Sequence, residues 1–126
     1  MMNLKNVPGR YGVAQLAADA PFPDWANGPG FCSMVRSDDE LTVVCQQDRI
    51  PEDVPSELGW ACFRSIGPVA FDAAGILAEL ISPISNAGIG VFVLCTFDGE
   101  HIMCPAQDYQ RVKELLEQEG HVFVAH

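Results

Sequence analysis

The sequence predicts an α+β protein of two tandem lobes, of which the second follows a β-α-β-β-α-β order and the first has little helix. Three observations support this prediction. After Trp60 the apolar pattern changes several times between short strand-like runs and three- or four-residue steps. The connecting segments of the first half are rich in proline, which disfavours long helices. One stretch of the first half also aligns with one stretch of the second half, so that predicted strands match strands and the turn matches the turn.

The C-terminal half, residues 59–126, contains six predicted elements. Short apolar runs bounded by turn residues predict strands at 60–66, 91–97, 101–104 and 121–125. Two other stretches carry apolar residues at three- and four-residue steps, the spacing of one buried helix face. These residues are Ile76, Leu77, Leu80, Ile81 and Ile84 in the first stretch and Tyr109, Val112, Leu115 and Leu116 in the second. The resulting order is the split βαβ, or ferredoxin-like, plan, in which two helices cover one face of a four-stranded antiparallel sheet.

Single residues refine this plan. Asp72 stands where its carboxylate can cap the first helix, Pro83 is expected to kink the last turn, and Gly88 supplies a stop. The run at 91–97 is apolar on both faces, which predicts either a central strand covered on both sides or a strand packed at an interface. Asp98-Gly99 is a strong hairpin signal between this strand and the next.

The N-terminal half, residues 1–58, is interpreted as a degenerate copy of the second. Strands are predicted at 11–16, 31–36 and 41–45, and residues 33–45 slide onto 92–104 without a gap. The proline-rich segments leave room for a short turn at Asp24-Trp25-Ala26, where Trp25 is expected to cover the lobe's core.

Charge and hydropathy exclude several classes of partner. The 126 residues include 7 basic and 17 acidic ones, a net charge of −10, whereas binding to nucleic acid or anionic membranes depends mainly on Lys and Arg. The opening residues 1–8 lack the apolar run that a signal peptide has, and the longest apolar run of the sequence is far shorter than a membrane helix needs. We therefore expect a cytoplasmic protein with no nucleic-acid or membrane partner.

The sequence favours a binding module over an enzyme. Its five cysteines form no C-x-x-C pair and are expected to be reduced core residues. Cys95, His101 and Cys104 lie near the hairpin, but positions 101 and 104 point to opposite faces of a strand, so we predict no catalytic residue and no metal site. No cofactor motif is present, and His121 and His126 are expected at the surface.

A backbone-rich constellation is the more promising candidate site. The segment 67–72 leads into a helix N-terminus, whose free N–H groups favour an anion such as a carboxylate. Gly88-Ile89-Gly90 offers backbone with little obstruction, and Asp98 and Glu100 offer acceptors for a cation. A free amino acid requires such groups at its two ends, although a capped helix, a tight turn and a solvated hairpin would leave the same pattern.

Three segments carry a resemblance to a known family. Gly67-Pro-Val-Ala-Phe-Asp72 with Gly75-Ile-Leu-Ala, Ala87-Gly-Ile-Gly-Val-Phe92 and Thr96-Phe97-Asp98 resemble the ACT-domain family. More narrowly, the chain is similar to small bacterial proteins with two tandem ACT-like lobes, related to the ACT modules of aspartokinases and CASTOR-type arginine sensors. That subgroup often has Thr-Asp after the hairpin aspartate, whereas this chain has Gly99-Glu100.

The resemblance implies a non-catalytic regulatory module that binds a small molecule, commonly an amino acid, at an interface within a homodimer or larger assembly. Carried over by motif and combined with the acceptors above, the implied ligand-binding residues are Phe71, Asp72, Gly88, Ile89, Val91, Thr96, Phe97, Asp98 and Glu100. Two alternatives stay open: an interaction protein that dimerises or docks a partner without a metabolite, and a small enzyme that uses Cys95 or Cys104.

Overall fold

A computed structural model describes residues 2–67 and 74–125, which form two compact units. The N-terminal unit is Pro8–Trp60, and the C-terminal unit combines Met1–Val7 with Ala61–His126. The first residues join the C-terminal unit because Asn3 and Leu4 pair with Val122 and Phe123, a parallel pairing that spans almost the whole chain and that local sequence patterns do not indicate.

The elements follow the predicted order. The strands are β1 (Asn3–Leu16), β2 (Ser33–Arg36), β3 (Leu41–Gln46), β4 (Ser56–Ser65), β5 (Phe92–Cys95), β6 (Glu100–Pro105) and β7 (Val122–Phe123). The helices are α1 (Ile76–Asn86) and α2 (Tyr109–Gln118). Both predicted helices and the β-α-β-β-α-β order from β4 to β7 are confirmed. The predicted Asp72 cap lies outside the described residues.

The N-terminal unit is built on antiparallel strands in the order β2-β3-β1. Its core contains Leu41, Val43 and Cys45 of β3. These residues occupy every second position of the strand and therefore lie on the same face of the sheet. Asp24–Ala26 forms a single 3₁₀ turn, and Trp25 packs against this core, as predicted.

The C-terminal unit has one strand more than predicted. The first residues of β1 lie between β7 and β4, because Asn3 pairs with Val122 on one side and its carbonyl accepts the Ile66 N–H at 3.0 Å on the other. Beyond β4 follow β6 and then β5. Of the two alternatives for 91–97, the central strand is therefore wrong: β5 ends the order, and its side chains are half-buried or exposed. Packing of this strand at an interface stays a prediction. The final strand is also shorter than predicted.

The helices cover one face of this sheet. Leu80 and Ile84 of α1 and Val112 and Leu116 of α2 are buried against Leu4, Phe63 and Ile102. Leu77, predicted for the same helix face, is instead 37% exposed. Pro83 lies inside α1, and Gly88 follows its end with a φ of 78°, a left-handed conformation that glycine adopts readily. Neither described helix is long and apolar enough to cross a membrane.

Candidate functional site

The hairpin between β5 and β6 forms one end of the C-terminal unit's sheet. Thr96 donates both its backbone N–H and its hydroxyl to the Gly99 carbonyl, at 2.7 Å and 3.2 Å, which closes the predicted turn. Cys95 and Glu100 are direct partners in the antiparallel register on either side of it. The hairpin therefore holds the predicted residues 96–100 together.

Glu100 is fixed by a serine that sequence reasoning did not select. The Ser65 hydroxyl donates to Glu100 Oε2 at 3.1 Å and accepts the Glu100 backbone N–H at 3.1 Å. Ser65 ends β4 and Glu100 begins β6, so the two bonds join neighbouring strands where the hairpin begins. A single serine is not a sequence motif. Ser65 could be selected from the sequence only if β4 were known to lie beside β6.

The position of Glu100 directly after a hairpin turn predicts an exposed side chain, and this prediction is wrong. The residue is only 7% exposed, whereas Thr96, Phe97 and Asp98 beside it are open to solvent, Phe97 by 80%. Strand alternation explains this burial, because Glu100 shares its face with Ile102 in the core beneath the helices. The carboxylate therefore lies at the edge of the core.

The predicted site residues fall into separate groups. Thr96, Phe97, Asp98 and Glu100 lie at the hairpin end of β5, whereas Gly88, Ile89 and Val91 precede the strand's other end. The four residues of β5 leave about 16 Å of extended chain between Val91 and Thr96. Ile89 is also part of the hydrophobic core. Within one C-terminal unit, the two groups are too far apart for one small amino acid to contact both. Phe71 and Asp72 lie outside the described residues.

The histidines differ from expectation. Burial, and then the Arg64 guanidinium, lower the pKa of His101 to about 4, so its ring is neutral at physiological pH. His121 is 4% exposed, so its predicted place at the surface is wrong; it is held in place because its Nδ1 accepts the Met2 N–H at 3.2 Å. His126 lies outside the described residues.

The cysteines are all free thiols. Cys45, Cys62 and Cys104 are buried, as predicted, and burial is the main cause that raises their pKa values to about 11, 12 and 11. Cys32 is half-buried, and Cys95 is exposed, so the prediction that all five are core residues is wrong for Cys95. Across 2–67 and 74–125, no three His, Cys, Asp or Glu residues are grouped to hold a metal ion.

The hairpin end of the sheet can accept a cation. A carboxylate at the core's edge, oriented by Ser65 and adjoining the exposed residues 96–98, can bind an ammonium or guanidinium group through charge-assisted hydrogen bonds. Because Ser65 already fixes the orientation of this carboxylate, less side-chain entropy is lost when a ligand binds to it. Two helices over one face of a mixed sheet define a ferredoxin-like domain.

Comparison with known proteins identifies the family. The model of the ACT domain matches residues 56–118, and a separate N-terminal domain model matches residues 9–53. The chain belongs to the ACT-domain family, as the resemblance implied. It is an ACT-domain regulatory module related to amino-acid-sensing proteins.

Curated relatives and solved structures agree with this assignment. The human cytosolic arginine sensor for mTORC1 subunit 1 is 33% identical over 81 residues, which cover 59% of this chain and 25% of the relative. The chain thus spans about a quarter of the length of the curated relatives it matches. The crystal structure of protein Atu0741 from Agobacterium tumefaciens is 47% identical, with a TM-score of 0.92, and covers 99% of this chain and 94% of that one.

More distant structures share the fold alone. The regulatory subunit of aspartate kinase from Thermus thermophilus, in its ligand-free form, has a TM-score of 0.64 at 10% identity. The match covers 92% of this chain and 96% of that subunit. The ferredoxin-like ACT fold predicted from the sequence is therefore confirmed.

Proposed function

We propose that this protein is a non-catalytic sensor whose C-terminal ACT domain binds an amino acid at the hairpin end of the sheet. The carboxylate of Glu100, held by Ser65 at the core's edge, carries the proposal. It would accept the ligand's ammonium or basic side chain, and the exposed Thr96 and Asp98 would add polar contacts at the rim. The family supports a regulatory role.

The ligand's carboxylate needs a donor from elsewhere. Gly88 and Ile89 of the same unit are not proposed to hold this carboxylate, because the length of β5 separates them from the hairpin. We propose that the segment containing Phe71 and Asp72, or a second copy of the chain, supplies N–H donors. A homodimer in which one copy completes the other's site would let the ligand bias assembly, because a ligand shifts an equilibrium by its differential affinity for the two states.

Arginine is the first ligand to test. The curated relative is named as an arginine sensor, and a guanidinium can make two parallel hydrogen bonds to one carboxylate. The proposed setting is the cytoplasm, where free cysteines such as those of this chain stay reduced.

The decisive experiment is calorimetric titration of the purified chain with arginine and then with each of the other standard amino acids. We expect one selective ligand, and we expect Glu100→Gln to remove its binding because the charge is lost while the side-chain size is kept. Asp98→Asn is the matched control: it removes an exposed carboxylate of the same hairpin and should weaken binding much less. Equal affinity for wild type and Glu100→Gln would remove Glu100 from the site.

An interaction protein without a metabolite is the second candidate. Phe97 is 80% exposed at the hairpin, and Ile66 at the end of β4 is 41% exposed. Exposed apolar residues at one end of a domain suit a protein interface. If no amino acid binds while Phe97→Ser dissociates an oligomer in sedimentation analysis, this second function replaces the first.

A further inference from the structure

Two free cysteines of the N-terminal unit lie opposite each other on neighbouring strands. β2 and β3 are antiparallel, and their register pairs Ser33 with Val44. Continued by one residue beyond the start of β2, the same register places Cys32 opposite Cys45. Directly opposed residues of an antiparallel pair have Cα atoms about 4.5–5.5 Å apart, within the range of about 4.4–6.8 Å that a disulfide spans.

The segment before β2 stays beside β3. Gln46, the last residue of β3, donates from its side-chain Nε2 to the Pro29 carbonyl at 3.2 Å. The Phe31 N–H donates to the Tyr11 hydroxyl of β1 at 3.1 Å. Cys32 is therefore fixed on both sides, by these contacts before it and by the strand pairing after it.

The two side chains also share one face of the sheet. Cys45 is fully buried in the core of the N-terminal unit, and the half-buried Cys32 packs against this same core, as does Met34 two positions further along β2. Burial, and then the Cys32 thiol, raise the pKa of Cys45 to about 11. The thiol of Cys32 is thus close enough to influence the ionisation of Cys45.

We propose that Cys32 and Cys45 form a redox-sensitive modification site, at which a peroxide converts the two thiols into a cross-strand disulfide. In a reducing compartment the pair stays as the two free thiols of this structure. The proposal does not depend on the hairpin site or on its ligand.

Cys32 reacts first, because it is the more exposed of the two. Its thiolate attacks one oxygen of hydrogen peroxide, the O–O bond breaks, and the leaving hydroxide takes the proton that Cys32 gave up, which yields water and a sulfenic acid on Cys32. The Cys45 sulfur then attacks the Cys32 sulfur, the S–O bond breaks, and the leaving hydroxide departs as a second water with the Cys45 proton. The two thiols together lose two electrons, and the peroxide gains them.

The buried thiols of the C-terminal unit provide an internal control. Cys62 and Cys104 lie on the neighbouring strands β4 and β6. Cys104 belongs to the core beneath the helices together with Phe63, whereas Cys62 precedes Phe63 in β4 and points to the other face of the sheet. We therefore expect no disulfide between Cys62 and Cys104 in the folded chain.

The test is oxidation of the folded full chain with hydrogen peroxide, in a Cys95→Ser background that removes the exposed thiol able to join two copies. The remaining thiols are then alkylated in denaturant, and the unreduced chain is digested with trypsin. Trypsin separates the two cysteines, because residues 11–36 and 37–49 form different peptides with one cysteine each. Mass spectrometry should find these two peptides joined and released by dithiothreitol, while Cys62 and Cys104 remain alkylated.

Cys32→Ser is the deciding variant, since its half-buried position should accept a hydroxyl without loss of the fold. Cys45 should then remain an alkylated thiol after the same peroxide treatment. Three outcomes would overturn the proposal: Cys32 oxidised to a sulfinic acid while Cys45 stays alkylated, a Cys62–Cys104 link that forms as fast as the Cys32–Cys45 link, or a Cys32–Cys45 link that forms only after the chain is unfolded in urea.

Discussion

Ser65 and Glu100 bond to each other twice, through one hydroxyl that donates to the carboxylate and accepts the backbone N–H, both at 3.1 Å. The serine thereby fixes the orientation of the acid and the pairing of β4 with β6 at the same point. Both side chains are buried. The orientation of the carboxylate is thus set before a ligand arrives, which is the physical basis of the proposed amino-acid site.

The first prediction concerns this serine. Ser65→Ala removes the partner of a buried carboxylate oxygen and of a buried N–H, so we expect a loss of about 1–3 kcal/mol in the free energy of unfolding. Urea denaturation followed by circular dichroism measures it. Ser85→Ala is the control, because Ser85 is exposed on α1 and should change stability by less than about 0.5 kcal/mol. Equal effects of the two changes would show that the pair contributes nothing specific.

The second prediction is a pH dependence of stability due to His101. Burial, followed by the Arg64 guanidinium, lowers the pKa of His101 from its ordinary value of 6.5 to about 4 in the folded chain. Between these values the unfolded chain binds a proton that the folded chain does not. The stabilisation is therefore fully present above pH 6.5 and is lost as the pH falls toward 4, by at most about 3 kcal/mol.

The measurement is a set of urea midpoints from pH 4.5 to pH 7.5 for wild type and His101→Gln. The variant does not titrate at this position, so its stability should fall less on acidification, and the difference between the two curves isolates His101 from the carboxylates that titrate in the same range. Parallel curves would mean that the folded and unfolded states bind the same number of protons at His101.

Local sequence patterns predicted which segments form helices and strands, but not which strands lie side by side in the sheet. The periods of α1 and α2, the Asp98-Gly99 turn and the stop at Gly88 depend on residues close in sequence, and all were predicted. Asn3 lies between β7 and β4, and its partners there, Val122 and Ile66, are both more than sixty positions away from it in the sequence. An apolar run such as β5 is equally compatible with a central or an edge strand, because its pattern records burial and not hydrogen-bonding partners.

The candidate site shows the same limit. Glu100 was selected from its place after the hairpin, but its burial follows from sharing a face with Ile102, and its partner Ser65 comes from another strand. The sequence predicts His121 at the surface because it flanks the last strand. Its burial results from the Met2 contact across the chain, which no local pattern reports.

The third prediction ranks the cysteines by reactivity. Cys95 is exposed, whereas burial raises the pKa of Cys45, Cys62 and Cys104 and lowers their thiolate fraction at neutral pH. Brief treatment of the native chain with iodoacetamide, followed by peptide mass spectrometry, should label Cys95 first and leave these three unmodified. Cys95→Ser should abolish the fast phase. Labelling of Cys95 much faster than a free cysteine peptide would instead support the enzyme alternative, since it would indicate an activated thiol.

The fourth prediction separates backbone conformation from packing at two neighbouring glycines. A Cβ added at either Gly88 or Gly90 would meet nothing within 4 Å, but only Gly88 of the two has a left-handed φ, of 78°. Gly88→Ala should therefore lower the free energy of unfolding by about 1–2 kcal/mol through conformational strain alone, and Gly88→Asn by less, because asparagine tolerates this region. Gly90→Ala should be neutral or slightly stabilising, since it only restricts the unfolded chain. Thermal and urea unfolding of the three variants measures these differences, and equal losses at both positions would mean that the end of α1 does not depend on the left-handed residue.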